Sequence, residues 1–207
     1  MTKISKAFVK RLINSTQKVY FRDIILNATG NKILKIDKNV IKLLLLIKKT
    51  FNKNLSNIRK TVKTNYTGRP NELSNYIETI VIKEINKLNG FKAKRPTVLN
   101  KGKQSSGYPD IFVEFGNTKF YLEVKTFQPK TKDSSLRSFY YKPSKNSKVT
   151  MSCPHVLIAF EVESAGGDNK SPFIINDFKI VDLYDLKVSL KPEFNASNIE
   201  VYRCTQV

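Results

Sequence analysis

The second half of the chain places bulky residues in the short runs that are typical of β-strands. Residues 111–115 and 118–125 are two such runs, and Gly116-Asn117 between them is a turn signal, so together they predict a β-hairpin. Residues 154–163 are apolar without polar alternation until their end, which predicts a buried central strand. Further strands are predicted for residues 91–99, 173–181, 187–190 and 199–203.

Apolar positions also recur at helical spacing before the hairpin. The run from Leu73 to Leu88 predicts a helix, with Asn71 as its N-cap and Asn89-Gly90 at its end. The same periodicity occurs earlier, in residues 4–13, 40–51 and 55–62.

Positive charge is concentrated in the first third of the chain. The formal net charge is +20, and residues 1–69 carry 13 Lys and 4 Arg against two Asp, a net charge of +15. A break signal at residues 67–70 separates this region from the rest. We therefore expect a basic helical arm or subdomain over residues 1–69 and one α/β domain over residues 70–207. The basic faces would contact phosphates, although a solvated charged face explains them as well.

The predicted hairpin brings two carboxylates together at one end of the sheet. Folding back at the turn places Asp110, at the start of the first strand, beside Glu123 on the second. Because side chains alternate along a strand, Glu123 and Lys125 share one face. Two carboxylates form the oxygen-rich site that Mg²⁺ prefers. The alternative is that Asp110 is an ordinary turn residue and that Glu123 and Lys125 are a surface pair.

Pro109-Asp110 followed by Glu123-Val124-Lys125 resembles the signature of the PD-(D/E)XK nucleases. The resemblance covers residues 71–163 and implies a restriction-endonuclease-like αβββαβ core, with a mixed central sheet flanked by helices. The second helix of that core is poorly indicated between residues 127 and 154. By the same resemblance, Asp110 and Glu123 hold Mg²⁺ together with the backbone carbonyl of Val124, and Lys125 is catalytic.

Nucleases of this kind also place a glutamate on the helix before the hairpin, and this helix offers three. Glu78 fits the family spacing best and is expected to join the site, where it could hold a second ion. Glu72 is the alternative, although an acidic residue in the first turn also stabilises the helix dipole. Glu84 is expected at the surface.

A polar loop with basic residues precedes the hairpin, and basic and aromatic residues alternate after it; both segments suit contacts with a DNA backbone. The expected DNA-binding residues are Lys101, Lys103, Gln104, Arg137, Tyr140, Lys142, Lys145 and Lys148. Ordinary loop chemistry and aromatic packing beneath the sheet are the alternatives.

Several classes of protein are disfavoured by the sequence. The longest aliphatic run, Leu43 to Ile47, is too short to cross a bilayer, and the N-terminus lacks the apolar core of a signal peptide, so we expect a cytoplasmic protein without membrane contact. Cys153 and Cys204 have neither metal-type spacing nor a disulfide framework and are expected to be reduced. His155 is expected to be a strand residue without a catalytic partner.

The resemblance is strongest to type II restriction endonucleases. It implies Mg²⁺-dependent cleavage of double-stranded DNA at a short specific site by a homodimer, leaving 5′-phosphate and 3′-hydroxyl ends. A cognate DNA methyltransferase is expected as a separate enzyme. The alternatives are a structure-specific nuclease of repair or recombination, such as a junction resolvase, and a non-catalytic DNA-binding module. RNA stays open as a partner, because charge alone does not distinguish it from DNA.

Overall fold

The computed structural model describes residues 18–98, 107–131, 139–144, 146–166 and 171–190, together with positions 6, 7, 10, 200 and 203. Its helices are α1 (Phe21–Thr29), α2 (Lys38–Asn65) and α3 (Leu73–Asn86). Its strands are β1 (Lys18–Tyr20), β2 (Ile33–Leu34), β3 (Phe91–Lys94), β4 (Ile111–Phe115), β5 (Thr118–Phe127), β6 (Cys153–Ser164), β7 (Phe173–Asp182) and β8 (Lys187–Ser189).

The chain divides into two compact units. The smaller unit combines Met1–Tyr20 with Lys187–Val207, and in it β1 and β8 pair antiparallel, with Lys18 opposite Ser189. The larger unit, Phe21–Leu186, contains the remaining helices and strands.

A six-stranded mixed sheet forms the centre of the larger unit. Its order is β2-β6-β5-β4-β3, and β7 also pairs with β6. The predicted hairpin is confirmed, because β4 and β5 pair antiparallel and Gly116 occupies the turn with φ +55°. The predicted central strand is also confirmed, since β6 is parallel to β5 and antiparallel to β7. The mixed sheet with its three described helices confirms the expected restriction-endonuclease-like α/β class.

One face of the sheet packs against α2 and α3. Alternate residues of β4, β5 and β6, such as Val113, Leu122 and Ile158, belong to the same buried cluster as α2 and α3 residues. The periodicity predicted in two segments, 40–51 and 55–62, is one continuous helix, whose N-cap Asp37 accepts a hydrogen bond from the Val40 amide. The DNA-contacting role of this basic region stays a prediction.

Several local expectations are corrected. Helix α3 begins at Leu73 after a 3₁₀ turn over Pro70–Glu72, so Asn71 is not its N-cap. Strand β3 ends at Lys94, where Pro96 soon follows and lacks an amide donor for the sheet. Glu84 is buried rather than exposed.

Three other expectations concern segments that the structure describes incompletely. In the described parts of residues 128–152 the structure shows a 3₁₀ turn, Pro129–Thr131, and no α-helix. The strand predicted for residues 199–203 lies outside the described residues, except for positions 200 and 203. Among the described helices, none is both long and apolar enough to cross a membrane.

Candidate active site

Asp110 lies directly before β4, at the open end of the hairpin. Because Ile111 pairs with Leu122, the residues of β5 that follow Leu122 extend beyond β4 and lie beside Asp110. The backbone amide of Val124 donates a hydrogen bond of 2.9 Å to Asp110 Oδ2. The Asp110 carboxylate therefore accepts a hydrogen bond from β5 just before the first residue of β4. Its position beside Glu123 is as the sequence predicted.

Glu123 and Lys125 form an ion pair on one face of β5. Lys125 Nζ donates a hydrogen bond to Glu123 Oε1, as expected for two side chains that lie two residues apart on a strand. The Glu123 side chain is 3% exposed and that of Lys125 is 27% exposed. Burial lowers the pKa of Lys125, but the charges of Glu123 and Asp110 outweigh it and raise this pKa above its ordinary value. Lys125 is therefore an ammonium ion in this arrangement.

Glu123 has the most perturbed carboxyl group of the site. Burial, followed by the negative charge of Asp110, raises its pKa to about 8, and the opposing effect of Lys125 is smaller. Its Oε2 atom is buried without a hydrogen-bond partner among the described residues. A strongly shifted group with an unpaired oxygen is typical of a functional site.

Helix α3 contributes Glu78 to the same electrostatic cluster. Glu78 is 8% exposed, and burial and the charge of Asp110 raise its pKa. Its Oε2 atom lies 3.4 Å from a guanidinium nitrogen of Arg95, which follows β3. Lys125 also interacts electrostatically with Glu78. The choice of Glu78 as the helix glutamate of the site is supported by this proximity, although its function stays a prediction.

The other two helix glutamates lie elsewhere. Glu72 is exposed in the 3₁₀ turn before α3. Glu84 accepts hydrogen bonds of 2.8 Å from Asn54 Nδ2 and 2.5 Å from Lys87 Nζ. The first of these bonds joins α3 to α2, so Glu84 contributes to helix packing.

The residues present fit a divalent metal ion bound by few protein ligands. In the described parts of the chain, no group of three or more His, Cys, Asp or Glu side chains forms a metal-binding cluster. Mg²⁺ does not need such a cluster, because it is often held by one or two carboxylates and keeps several waters. Asp110 and Glu123 supply hard oxygen donors, and the unpaired Glu123 Oε2 is an oxygen that a cation would satisfy. The carbonyl of Val124 as a third ligand stays a prediction.

Lys148, one of the predicted DNA contacts, is buried. It is 3% exposed, and its Nζ donates hydrogen bonds to the backbone carbonyls of Gly107, at 2.7 Å, and Pro109, at 3.4 Å. An ammonium group directed at backbone inside the protein does not suit a contact with the outer surface of DNA. Lys148 lies instead beside the turn that carries Asp110.

The remaining predicted DNA contacts are only partly described. Tyr140 and Lys142 are exposed, as a contact with DNA would require. The other predicted contacts lie outside the described residues: Lys101, Lys103, Gln104, Arg137 and Lys145.

His155 lies beneath the site on β6 and is completely buried. Its Nδ1 atom is 2.6 Å from the hydroxyl of Tyr108, whereas Nε2 has no hydrogen-bond partner among the described residues. Burial lowers the pKa of His155 to about 3, so the ring is neutral near pH 7. The interpretation of His155 as a strand residue agrees with this environment. Cys153, at the start of the same strand, is a buried free thiol.

The sequence did not predict that Arg95 and Lys148 lie close to the acidic residues of the site. Arg95 is a basic residue near a strand end, and Lys148 is one of several lysines in a basic and aromatic segment. Nothing in the local sequence distinguishes them, because both are placed by tertiary packing. A weak sign that the segment around Lys148 is buried is its neighbour Val149, an apolar residue just ahead of the central strand.

Comparison with known proteins agrees with the geometry. The family model described as "Type II restriction enzyme MjaV family" matches residues 13–205. A similar protein, named type II restriction enzyme MjaV, from Methanocaldococcus jannaschii, is 36% identical over 216 aligned positions, which cover 96% of this chain and 91% of the relative. A match of this extent includes the whole larger unit, part of the smaller one and every residue of the candidate site. The chain therefore belongs to the MjaV family of type II restriction enzymes.

Proposed function

We propose that this protein is a Mg²⁺-dependent type II restriction endonuclease that cleaves double-stranded DNA at a short specific site. The observation that supports this most is the convergence of Asp110, Glu123, Lys125 and Glu78 at one end of the hairpin, in a chain that belongs to a restriction enzyme family. The ends left would be a 5′-phosphate and a 3′-hydroxyl.

In this proposal Asp110 and Glu123 are the metal ligands. Asp110 is held by the Val124 amide, so the position of its carboxylate is fixed before any ligand binds. Glu123 has a free buried oxygen and, with a pKa of about 8, loses its proton readily once a cation is near. Bound Mg²⁺ would lower the pKa of a water molecule and offset the charge that develops on the phosphate.

Lys125 acts as a cation in the same proposal. Because its pKa is raised, the ammonium form can donate a hydrogen bond to a phosphate oxygen or orient the attacking water. Glu78, held by Arg95, adds a third carboxylate that could bind a second ion or the water.

The positive charge of the chain supports a nucleic acid substrate. A net charge of +20 favours a polyanion, and a restriction function selects double-stranded DNA among the polyanions. We further propose a homodimer that acts on a palindromic site, a cytoplasmic location, and a cognate methyltransferase that protects host DNA as a separate enzyme.

Cleavage of plasmids of known sequence, with Mg²⁺ or with EDTA, tests the proposal. Discrete, reproducible fragments are expected with Mg²⁺ and none with EDTA. Cleavage confined to branched DNA would instead indicate a resolvase, and a mobility shift without cleavage would indicate a binding module.

The variant Asp110→Ala tests the assignment of the site. It removes a proposed ligand, so we expect cleavage to fall by about 10³-fold or more while DNA binding in EDTA is retained. Glu114→Ala is the matched control on the same hairpin, because the ion pairs of Glu114 with Lys94 and Lys119, at 3.8 and 3.6 Å, are partly exposed and weak. Retained Mg²⁺-dependent cleavage in Asp110→Ala would refute this site.

A further inference from the structure

Lys148 is the buried cation that the proposed chemistry leaves unused. Its Nζ donates hydrogen bonds to the carbonyls of Gly107 and Pro109, the residues on either side of Tyr108. Asp110 follows Pro109 directly, so a single ammonium group holds the turn that leads into the proposed metal ligand. Lysine is rarely buried to this extent unless its charge is paired.

The negative charges near Lys148 are those of the candidate active site. Although burial lowers the pKa of Lys148 below its ordinary value, the carboxylates of Asp110, Glu78 and Glu123 each act to raise it. All three proposed acidic residues thus lie within electrostatic range of this ammonium group. Its burial is balanced by the acidic cluster as well as by the two carbonyls.

The backbone that follows Lys148 is itself anchored. The Val149 amide donates to Ser147 Oγ at 3.0 Å, and the Val149 carbonyl accepts a hydrogen bond of 3.2 Å from Asn31. The next amide, that of Thr150, donates to the Tyr121 hydroxyl at 3.0 Å, and Tyr121 lies on β5 two residues before Glu123. The segment around Lys148 is therefore tied to the strand that carries Glu123 and Lys125.

The space around Lys148 argues against a direct contact with substrate. A cavity of about 30 Å³ lies beside it, lined by Gly107, Tyr108 and residues of the 141–148 segment. Such a volume holds about one water molecule and is far too small for a nucleotide. A nucleotide therefore does not fit in the cavity beside Lys148.

We propose that Lys148 is a positioning residue that joins β5 to the Gly107–Pro109 turn and thereby fixes Asp110 in the geometry that metal binding requires. This inference rests on the proposed function for its effect on cleavage. Its structural part, the control of Asp110 by Lys148, is independent of any activity.

The structural part is tested in the full chain without metal or DNA, with the variant Lys148→Met. The Val124 amide donates to Asp110 Oδ2, so its hydrogen exchange reports on whether the carboxylate stays in place. We expect this amide to exchange at least about tenfold faster in Lys148→Met, relative to the amides of Phe120 and Ile158 in the core. A uniform change at all three amides would indicate general destabilisation and would overturn the proposal.

The functional part is tested by kinetics on a cleavable plasmid. We expect kcat to fall about 100-fold and the Mg²⁺ concentration for half-maximal cleavage to rise about tenfold, with KM for DNA changed by less than about threefold. Lys119→Met, a surface lysine paired with Glu114, is the control and should behave as wild type. A loss confined to DNA affinity would overturn the proposal and return Lys148 to the DNA-binding set.

Two further measures distinguish a failure of the inference about Lys148 from a failure of the variant to fold and from a failure of the proposed function. If Lys148→Met does not fold, Lys148→Gln is used, whose shorter neutral amide should change Val124 exchange and the Mg²⁺ requirement in the same direction by about threefold. If the wild-type protein cuts no DNA, the proposed function fails, yet the exchange of Val124 still decides whether Lys148 holds the turn. Unchanged Val124 exchange in the folded variant refutes the inference in either case.

Discussion

Replacing Glu123 with glutamine should stabilise the metal-free protein and at the same time abolish cleavage. Glu123 is 3% exposed, and its pKa of about 8 shows that the fold disfavours its ionised form. Glutamine has nearly the same shape and can still accept the hydrogen bond from Lys125, but it carries no charge. The substitution therefore removes the electrostatic cost of a buried negative charge, and the proposed metal site requires that charge.

The expected gain in stability follows from the difference between the pKa of Glu123 in the folded chain and its pKa in the unfolded chain. The carboxyl group ionises near pH 4.5 in the unfolded chain and near pH 8 in the folded one. Between these pH values the folded state binds one more proton than the unfolded state. The stability that this proton contributes is therefore fully present below pH 4.5 and is lost as pH rises through 8. For a shift of this size the loss is about 4 kcal/mol by pH 8, and roughly a third of it develops above pH 6.5.

Urea unfolding in EDTA at pH 6.5 and pH 8 measures this effect. The lower limit is chosen because His155, with a pKa of about 3 when folded, changes stability mainly below pH 6.5. Glu123→Gln should exceed wild type by up to about 4 kcal/mol at pH 8 and should lack the decline above pH 6.5. Glu114→Gln, a partly exposed hairpin residue, is the control and should follow the wild-type decline.

Addition of Mg²⁺ provides an internal check on the same samples. Because a ligand stabilises the state that binds it, Mg²⁺ should raise the wild-type stability at pH 8 and have little effect on Glu123→Gln. Parallel pH profiles for wild type and Glu123→Gln would refute the assignment of a raised pKa to this carboxyl group, and with it the physical reasoning about the site.

Three further predictions concern other residues of the larger unit. Lys125→Met should lower cleavage at least about 100-fold with DNA affinity in EDTA nearly unchanged, and Lys119→Met is its control. Protonation of His155 on unfolding should oppose, by about 2 kcal/mol, the stability that Glu123 adds as pH decreases from 7 to 5, so urea unfolding of His155→Gln should show a steeper rise in stability over this range than wild type. Glu78→Gln should reduce the cleavage rate, whereas Glu84→Gln should lower the free energy of unfolding by about 1–2 kcal/mol and leave cleavage intact; the reverse pattern would exchange their roles.

The hairpin and the relation of Asp110 to Glu123 were predictable because their determinants are local. A turn signal between two β-rich runs sets the register, and the register alone brings the residue before β4 beside the residue after Leu122. The alternation of strand side chains then gives Glu123 and Lys125 a common face. Similarly, the continuous apolar run of β6 indicates burial on both faces without reference to any other segment.

The features that the sequence did not predict have a common physical cause. Each residue concerned is placed by an interaction with a partner that is distant in the sequence. Glu84 looked like a surface residue until Asn54, on another helix, gave it a buried hydrogen bond. The burial of Lys148 was not predictable because its acceptors, the carbonyls of Gly107 and Pro109, are backbone groups that no pattern of residue types reveals. Arg95 was overlooked because its role depends on the packing of α3 against β3.

Charge balance explains how an acidic site can form before any metal is present. In the described part of the chain, three carboxylates interact electrostatically with three cations, and Lys125, Arg95 and Lys148 oppose the repulsion among the acidic groups. The pairing is incomplete, because Glu123 keeps a pKa of about 8 and an unpaired oxygen. Lys125 must break its hydrogen bond to Glu123 Oε1 before that oxygen can bind an ion. A DNA phosphate would then accept the hydrogen bond from the ammonium group. If the proposed roles hold, the site should bind its ion more tightly when DNA is also bound.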